Sequence, residues 1–244
     1  MVLPFFYIEQ IDPGSSSIDL NEETAKHVVQ VLRMGLGEQL QLTDGKGKLV
    51  TVEIAEANRK KCGVRVLQTA NQPPQLKNIT LAISLIKNSS RFEWFLEKAT
   101  EIGIVEIIPL ICERTEKHHF RHERMNAILV SAMLQSRQCW LPLLHEPMGF
   151  EKLWQTADSG RLPALENYQQ KFIAHCLPEE KRNLADLINE NLHSKMILIG
   201  PEGDFTPGEI DRATRHHFIP VSLGNTRLRT ETAGIVAASL LMQL

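Results

Sequence analysis

Met196-Ile197-Leu198-Ile199-Gly200-Pro201-Glu202-Gly203-Asp204-Phe205-Thr206-Pro207 runs from an apolar segment through a glycine-bearing turn into the start of a helix. Four consecutive apolar residues suit a strand covered on both faces. Gly200 and Gly203 let another group approach the backbone closely, and Pro201 stiffens the turn between them. Thr206 is placed to cap the next helix, with Pro207 at its first position and Glu209 three residues after the cap. A strand leading directly into a helix is the unit of parallel α/β sheets, where ligands collect at strand ends. Taken alone, the spacing of the stretch is better explained as a well-formed strand-turn-helix with no ligand.

A second strand end follows closely. Phe218 to Leu223 is an apolar run, Gly224 ends it, and Leu228-Arg229-Thr230-Glu231-Thr232-Ala233 opens the last helix. The helix dipole favours a carboxylate at Glu231, so a plain cap accounts for that residue. It does not account for Arg227 and Arg229 at the same mouth, which suit an anionic substrate or developing negative charge. Ala233, Gly234, Ala237, Ala238 and Ser239 make the last helix narrow enough for close contact with its own core or with a second subunit.

Outward from these segments the pattern alternates. Strands are expected at Ile79 to Leu85, Val105 to Leu110, Phe172 to Ala174, Met196 to Ile199 and Phe218 to Leu223. Helices are expected at Arg91 to Ile102, Glu123 to Gln138, Glu179 to Leu192, Pro207 to His216 and Glu231 to Leu241. This alternation predicts a mostly parallel sheet covered on both faces. No GxGxxG follows the first strand of either half, which disfavours a dinucleotide pocket there.

The first seventy or so residues read differently. Leu40 to Thr43 and Leu49 to Ile54 alternate as half-buried strands do, with Asp44-Gly45-Lys46-Gly47 as a hairpin signal between them. Cys62 to Leu67 alternates again, and Asn21 can cap one helix with Ala25, Val28, Val29 and Leu32 on its apolar stripe. A small β-barrel is expected. Asn71-Gln72-Pro73-Pro74-Gln75 reads as a linker, because two prolines block helix. The expected domains are therefore 1–72 and 73–244.

The 244 residues carry 27 Lys and Arg against 29 Asp and Glu, a formal net charge of -2, so any nucleic-acid contact is a local patch rather than a global field. Lys87 and Arg91 flank the Asn88-Ser89-Ser90 loop after a strand end and are better placed for a ligand than Lys98 or Glu101. Lys117-His118-His119-Phe120-Arg121-His122 lacks acidic or cysteine ligands at metal spacing and reads as a basic loop beside Arg114. His27, Arg33, Arg59, Lys60, Lys61 and Arg65 offer the first domain a phosphate-tracking surface, although an exposed polar face explains them as well. Four cysteines without CxxC spacing, no signal peptide and no apolar run of bilayer length point to a cytoplasmic protein.

With these residues in view, the chain resembles the ribosomal RNA small-subunit methyltransferase E family, uridine-N3 methyltransferases of the SPOUT superfamily. The resemblance is carried by His27-Val28-Val29-Gln30-Val31-Leu32-Arg33, Arg91-Phe92-Glu93-Trp94, Glu97-Lys98-Ala99-Thr100-Glu101-Ile102-Gly103, Pro109, Glu113-Arg114 and Gln135-Ser136. Its strongest parts are Gly200-Pro201-Glu202-Gly203 and Leu228 to Ala233. The resemblance implies an α/β chain with an N-terminal PUA-like RNA-binding β-barrel followed by a SPOUT-type trefoil-knotted parallel-sheet methyltransferase domain. It implies a homodimer that uses S-adenosyl-L-methionine and no metal. It also implies methylation of N3 of a specific uridine in 16S ribosomal RNA, on the assembled or nearly assembled small subunit. The donor would lie on Leu198, Gly200, Pro201, Glu202, Gly203, Leu223, Gly224 and Leu228. Arg229 and Glu231 would border the transfer site, Arg229 on the uridine oxygens and Glu231 as proton acceptor or as orienter of Arg229. His27, Arg33, Lys87, Arg91, Arg114, Arg137 and Arg227 would meet RNA.

The chain departs from the family pattern at three places. Asp204 stands where a third glycine is common, Arg137-Gln138 where a glycine-arginine pair is common, and Asn225-Thr226-Arg227 where Pro-Arg-Ile is common. The alternatives are a ribose 2′-O RNA methyltransferase of the same superfamily and a non-catalytic RNA-binding protein of ribosome assembly. The first usually opens its last helix with Asn-Val-Ser, which this chain lacks.

Overall fold

The computed structural model describes residues 2–12, 14–58, 61–116, 118–158, 164–178 and 180–243. Arg59, Lys60, Lys117 and Glu179, named above, lie outside the described residues. The chain forms two compact units, Met1–Pro74 with Val130–Leu141, and Gln75–Leu129 with Pro142–Leu244.

In the first unit, β1 (Phe5–Tyr7), β2 (Ser17–Leu20), β3 (Gln39–Thr43), β4 (Lys48–Ala57) and β5 (Cys62–Asn71) pair in the order β1-β3-β4-β5-β2. The β3–β4 hairpin falls at the Asp44 to Gly47 signal, where Asp44 Oδ1 accepts from the amides of Lys46 and Lys48. Two register shifts between β4 and β5 bend the sheet, and Leu40, Leu42, Val50, Val52, Ile54 and Val64 meet in one core. Val130–Leu141 joins this unit through its end. Gly47 N–H donates to Cys139 O, Leu141 N–H to Gly45 O, and Trp140 Nε1 to Gln72 O and Pro73 O. No sequence period signals such a return.

The helix α1 (Glu22–Lys26) starts as expected, with Asn21 Oδ1 accepting from Thr24 N–H at 2.8 Å. It then widens into a π-turn, His27–Val31. The wider turn changes the phase of the apolar stripe, so Val28 is buried while Leu32, expected inside, is 43% exposed.

The second unit carries β6 (Asn78–Ser84), α2 (Ser89–Ile102), β7 (Glu106–Ile111), α3 (His122–Gln135, shared with the first unit), β8 (Leu143–Leu144), β9 (Met148–Gly149), α4 (Phe150–Asp158), β10 (Gln170–Ala174), β11 (Arg182–Asn183), β12 (Ser194–Ile199), α5 (Pro207–Arg215), β13 (Ile219–Ser222) and α6 (Thr230–Gln243). The sheet runs β11-β13-β10-β12-β6-β7-β8, with β9 also on β7, and its ladders are parallel. Ile79, Leu81, Ile107, Phe172, Ile197 and Val221 are fully buried, as strands covered on both faces require.

The helix expected at Glu179 to Leu192 is not formed among the described residues. In its place stand β11 and one 3₁₀ turn, Leu184–Asp186. Asn183 Oδ1 accepts from Ala185 N–H, while Gln170 donates to Leu187 O and accepts from Asn189 N–H. Side chains thus take the backbone groups a helix would have used. The helix expected to reach Gln138 ends at Gln135, where Ser136 Oγ bonds back to Ala132 O and Arg137 adopts φ 57°.

Candidate cofactor cavity

The two motif-bearing strands, β12 and β13, are not neighbours. β10 lies between them and pairs with both. Three strand ends therefore meet at one edge of the sheet, and a cavity of about 630 Å³ opens there. Its walls are Ala174 to Cys176 after β10, Ile199 to Glu202 after β12, Val221 to Arg229 after β13, with Lys181, Asp204, Thr230 and Ala233. Its volume lies within the roughly 300–1,000 Å³ usual for cofactor pockets.

The turn at Gly200 is tight from two sides. A Cβ there would lie 3.0 Å from the Phe205 ring and 3.1 Å from Phe205 N. Thr230 Oγ1 donates to Gly200 O at 3.0 Å and so joins the start of α6 to the loop after β12. The helix α5 begins with the expected capping box. Thr206 Oγ1 accepts from Glu209 N–H, Glu209 Oε2 accepts from Thr206 N–H, and Glu209 Oε1 also accepts from Glu113 N–H. Asp204 stands at φ 65°, a left-handed conformation that glycine adopts freely and aspartate tolerates. Its carboxylate accepts from Cys176 N–H at 2.7 Å and Phe205 N–H at 2.9 Å, which ties the end of β10 to the glycine loop.

Of the residues expected to hold the donor, Gly200, Pro201, Glu202, Leu223, Gly224 and Leu228 line the cavity. Leu198 does not. It is fully buried in β12, flanked by Ile173 and Ala82 in register. Gly203 faces away from the cavity toward Arg114, whose Nη1 donates to its carbonyl at 2.8 Å. Arg227 and Arg229 are exposed on the cavity wall. Glu231 is buried beside the wall, with Oε1 3.7 Å from Arg91 Nε. Lys87 pairs with Glu116 at 2.8 Å, and its N–H donates to Glu202 Oε1.

In the first unit His27 is exposed and meets the Phe6 ring edge-to-face, and Arg33 is exposed at φ 57°. Arg137 is engaged structurally. It donates to Leu3 O and Gln41 Oε1 and lies over the Phe5 ring. His175, Cys176, Lys181 and Asp204 carry no local sequence signal for the cavity, yet all line it. His175 is buried with Nδ1 3.5 Å from Lys181 Nζ, and Lys181 also donates to Leu177 O. The signal for them lies in strand order, since any strand between β12 and β13 must end at the same edge.

The sequence profile of the RNA methyltransferase domain family matches residues 72–242, and that of the RNA methyltransferase PUA domain matches residues 20–67. The chain belongs to the ribosomal RNA small subunit methyltransferase E family. A member from Mycobacterium bovis is 28% identical over 97% of this chain and 90% of its own length. A probable rRNA-methyltransferase from Porphyromonas gingivalis is 36% identical, with a TM-score of 0.87 over 99% of this chain and 98% of that one. A Ribosomal RNA small subunit methyltransferase E from Neisseria gonorrhoeae, solved bound to S-adenosyl methionine, is 27% identical, with a TM-score of 0.82 over 99% and 97% of the two chains.

The chain is thus an rRNA methyltransferase with a PUA domain before its parallel-sheet domain, and its Neisseria gonorrhoeae relative carries S-adenosyl methionine. The cavity fits that group. Gly200 and Gly224 present backbone, Leu223 and Leu228 supply apolar wall, and carboxylates stand at Glu202 and Asp204. Among the described residues no group of three or more His, Cys, Asp or Glu is arranged to hold a metal, and no helix is long and apolar enough to cross a membrane.

Proposed function

We propose that this methyltransferase acts on N3 of one uridine of 16S ribosomal RNA, on the assembled or nearly assembled small subunit, as a cytoplasmic homodimer. The observation that carries this reading is Arg229, exposed on the wall of a cavity framed by two glycine-bearing strand ends. When bound, S-adenosyl-L-methionine supplies an electrophilic methyl group on its sulfonium. Uridine N3 is a poor nucleophile until it loses its proton, and the resulting negative charge spreads onto O2 and O4. A guanidinium aimed at those oxygens stabilises that charge, and Arg229 takes this role. The uridine must leave its stack to reach the cavity. Arg227, Arg114, Lys87 and Arg91 surround the site in sequence and supply phosphate contacts, as do His27 and Arg33 in the first unit.

A trefoil knot around the cavity belongs to the same proposal. It is supported by the order β13-β10-β12 together with the contacts of α6 with β6, β12 and α2, which carry residues 223–229 across the end of β10. The dimer rests on the family resemblance, because Gly234, Ala237 and Ala238 of α6 are already buried against the chain's own core.

The test is methylation of small subunits from a strain lacking the enzyme, followed by nucleoside mass spectrometry. 3-Methyluridine is expected, and a ribose methyl would select the 2′-O reading instead. R229A is expected to slow transfer by about 10²- to 10³-fold while donor affinity stays within about threefold. If rate and affinity fell together, Arg229 would belong to the cofactor site.

A further inference from the structure

Gly234 of α6 lies directly against α2. A Cβ at this position would stand 2.7 Å from Phe95 Cε2 and 2.8 Å from Ile83 Cδ1, so no side chain separates the two helices here. One turn toward the start of each helix are Glu231 and Arg91. The close approach at Gly234 fixes the register that brings Arg91 Nε to 3.7 Å from Glu231 Oε1. The Glu231 side chain is 8% exposed and that of Arg91 43%. The carboxylate faces inward and the guanidinium outward. The start of α2 is itself pinned, because Asn88 Oδ1 accepts from Ser90 N–H and Lys87 N–H donates to Glu202 of the glycine loop.

This geometry suits Glu231 poorly for proton abstraction. A general base must come within about 3 Å of the group it deprotonates, or reach it through one bridging water. Thr230 and Ala233 line the cavity, but Glu231 between them does not. The same geometry suits it well for aiming Arg91, an exposed cation held on one side by a buried anion.

We propose that Arg91 grips a phosphate of the target nucleotide and that Glu231 is the positioning residue for Arg91 rather than the base. This deepens the proposed reaction and rests on it for the identity of the methylated atom. The N3 proton then leaves to solvent while Arg229 stabilises the anion.

The test uses the full chain with R91A, R91K, E231Q and the R91A/E231Q double variant. Affinity for small subunits is measured over a salt series, single-turnover transfer at saturating subunit over a pH series, and donor affinity by calorimetry. R91A is expected to weaken RNA binding about tenfold and to flatten the slope of log affinity against log salt by roughly 0.7 to 0.9. E231Q is expected to weaken RNA binding in the same sense, with a wild-type pH profile and a saturated rate within about threefold. The double variant binds no worse than R91A, R91K recovers part of the loss, and donor affinity is unchanged throughout.

The proposal is overturned if E231Q loses about 10²-fold or more in saturated rate, or one limb of the pH profile, at unchanged RNA affinity. It is also overturned if the two single losses add. Arg91 is exposed, so R91A and R91K test the phosphate contact even if E231Q disturbs the buried start of α6, and a lost pH-profile limb in R91A, where Glu231 is intact, still reports on the base reading. A methyl found on another atom would refute the uridine-N3 reading while leaving the binding comparison of Arg91 and Glu231 intact.

Discussion

Thr230 donates its hydroxyl hydrogen to the carbonyl of Gly200 at 3.0 Å, and both residues are buried. One bond thus joins the two segments that stand out in the sequence, the glycine loop after β12 and the start of α6. In T230V the shape is kept but Gly200 O loses this donor, at a cost of about 1–3 kcal/mol for a buried unsatisfied carbonyl. Donor affinity is expected to fall about tenfold as the loop loosens, because about 1.4 kcal/mol is a factor of ten. T230S should restore most of it. Calorimetry on the three proteins checks this, and unchanged affinity in T230V would mean that the loop holds its shape without the bond.

Gly234 gives a prediction whose sign separates two accounts of α6. In an open helix interior, alanine is favoured over glycine by about 1 kcal/mol. Against Phe95 and Ile83 a Cβ has less than 3 Å of room. G234A is therefore expected to destabilise, by roughly 1–3 kcal/mol from overpacking, and to lower the urea midpoint. A rise in the midpoint would show that α2 and α6 can separate freely.

Much of this architecture is legible in the sequence, because local chemistry and final structure agree at particular residues. Asp44 to Gly47 makes its hairpin, Thr206 and Glu209 make their capping box, and Asn21 caps its helix. The misses at residues 180 to 192 and at Val130–Leu141 arise where side-chain or distant backbone partners outweigh local pattern. Residues 180 to 192 have helical periodicity, but Gln170 and Asn183 take their backbone groups. Val130–Leu141 belongs with the first unit because Cys139 and Leu141 bond the tip of the β3–β4 hairpin, over ninety residues away. Strand order is equally hidden from local pattern. The placement of β10 between β12 and β13 is what brings His175, Cys176 and Lys181 into the cavity wall.

Glu106 stands at the opposite end of the sheet, at the start of β7. Its Oε1 lies 2.6 Å from His145 Nε2, and its Oε2 accepts from Thr80 Oγ1 at 2.8 Å and Tyr168 OH at 3.2 Å. Burial pushes the Glu106 carboxyl up, but the bonds from His145, Thr80 and Tyr168 outweigh it and hold the group below its ordinary value of 4.5. A depressed folded-state value stabilises the fold above the unfolded-state value, and that contribution is lost as pH falls through the folded one. Wild-type stability is therefore expected to decline below about pH 4.5 more steeply than that of E106Q, which has no carboxyl to protonate. E106Q should be the less stable of the two at pH 7, since an amide cannot satisfy every one of these donors. Urea unfolding between pH 3 and pH 7 checks both. Parallel pH profiles for the two proteins would remove Glu106 from the acid response.

The cysteines allow a direct probe of the cavity. Cys176 is exposed and lines it, whereas Cys62, Cys112 and Cys139 are buried. Burial pushes the Cys112 thiol up to about 12, with the nearby Glu209 carboxylate adding to the effect. Burial also raises Cys62 and Cys139. Thiolate is the reactive form, so these three should stay unmodified in the folded protein at pH 8. A maleimide is therefore expected to label Cys176 alone under native conditions and the remaining thiols only after denaturation. Saturating S-adenosyl-L-methionine should slow that labelling by about tenfold or more, since a group bound on the wall of the cavity shields the thiol beside it. C176S should abolish native labelling and keep donor binding. Peptide mass mapping reads the site, and labelling of Cys176 at the same rate with and without donor would place the donor away from the end of β10.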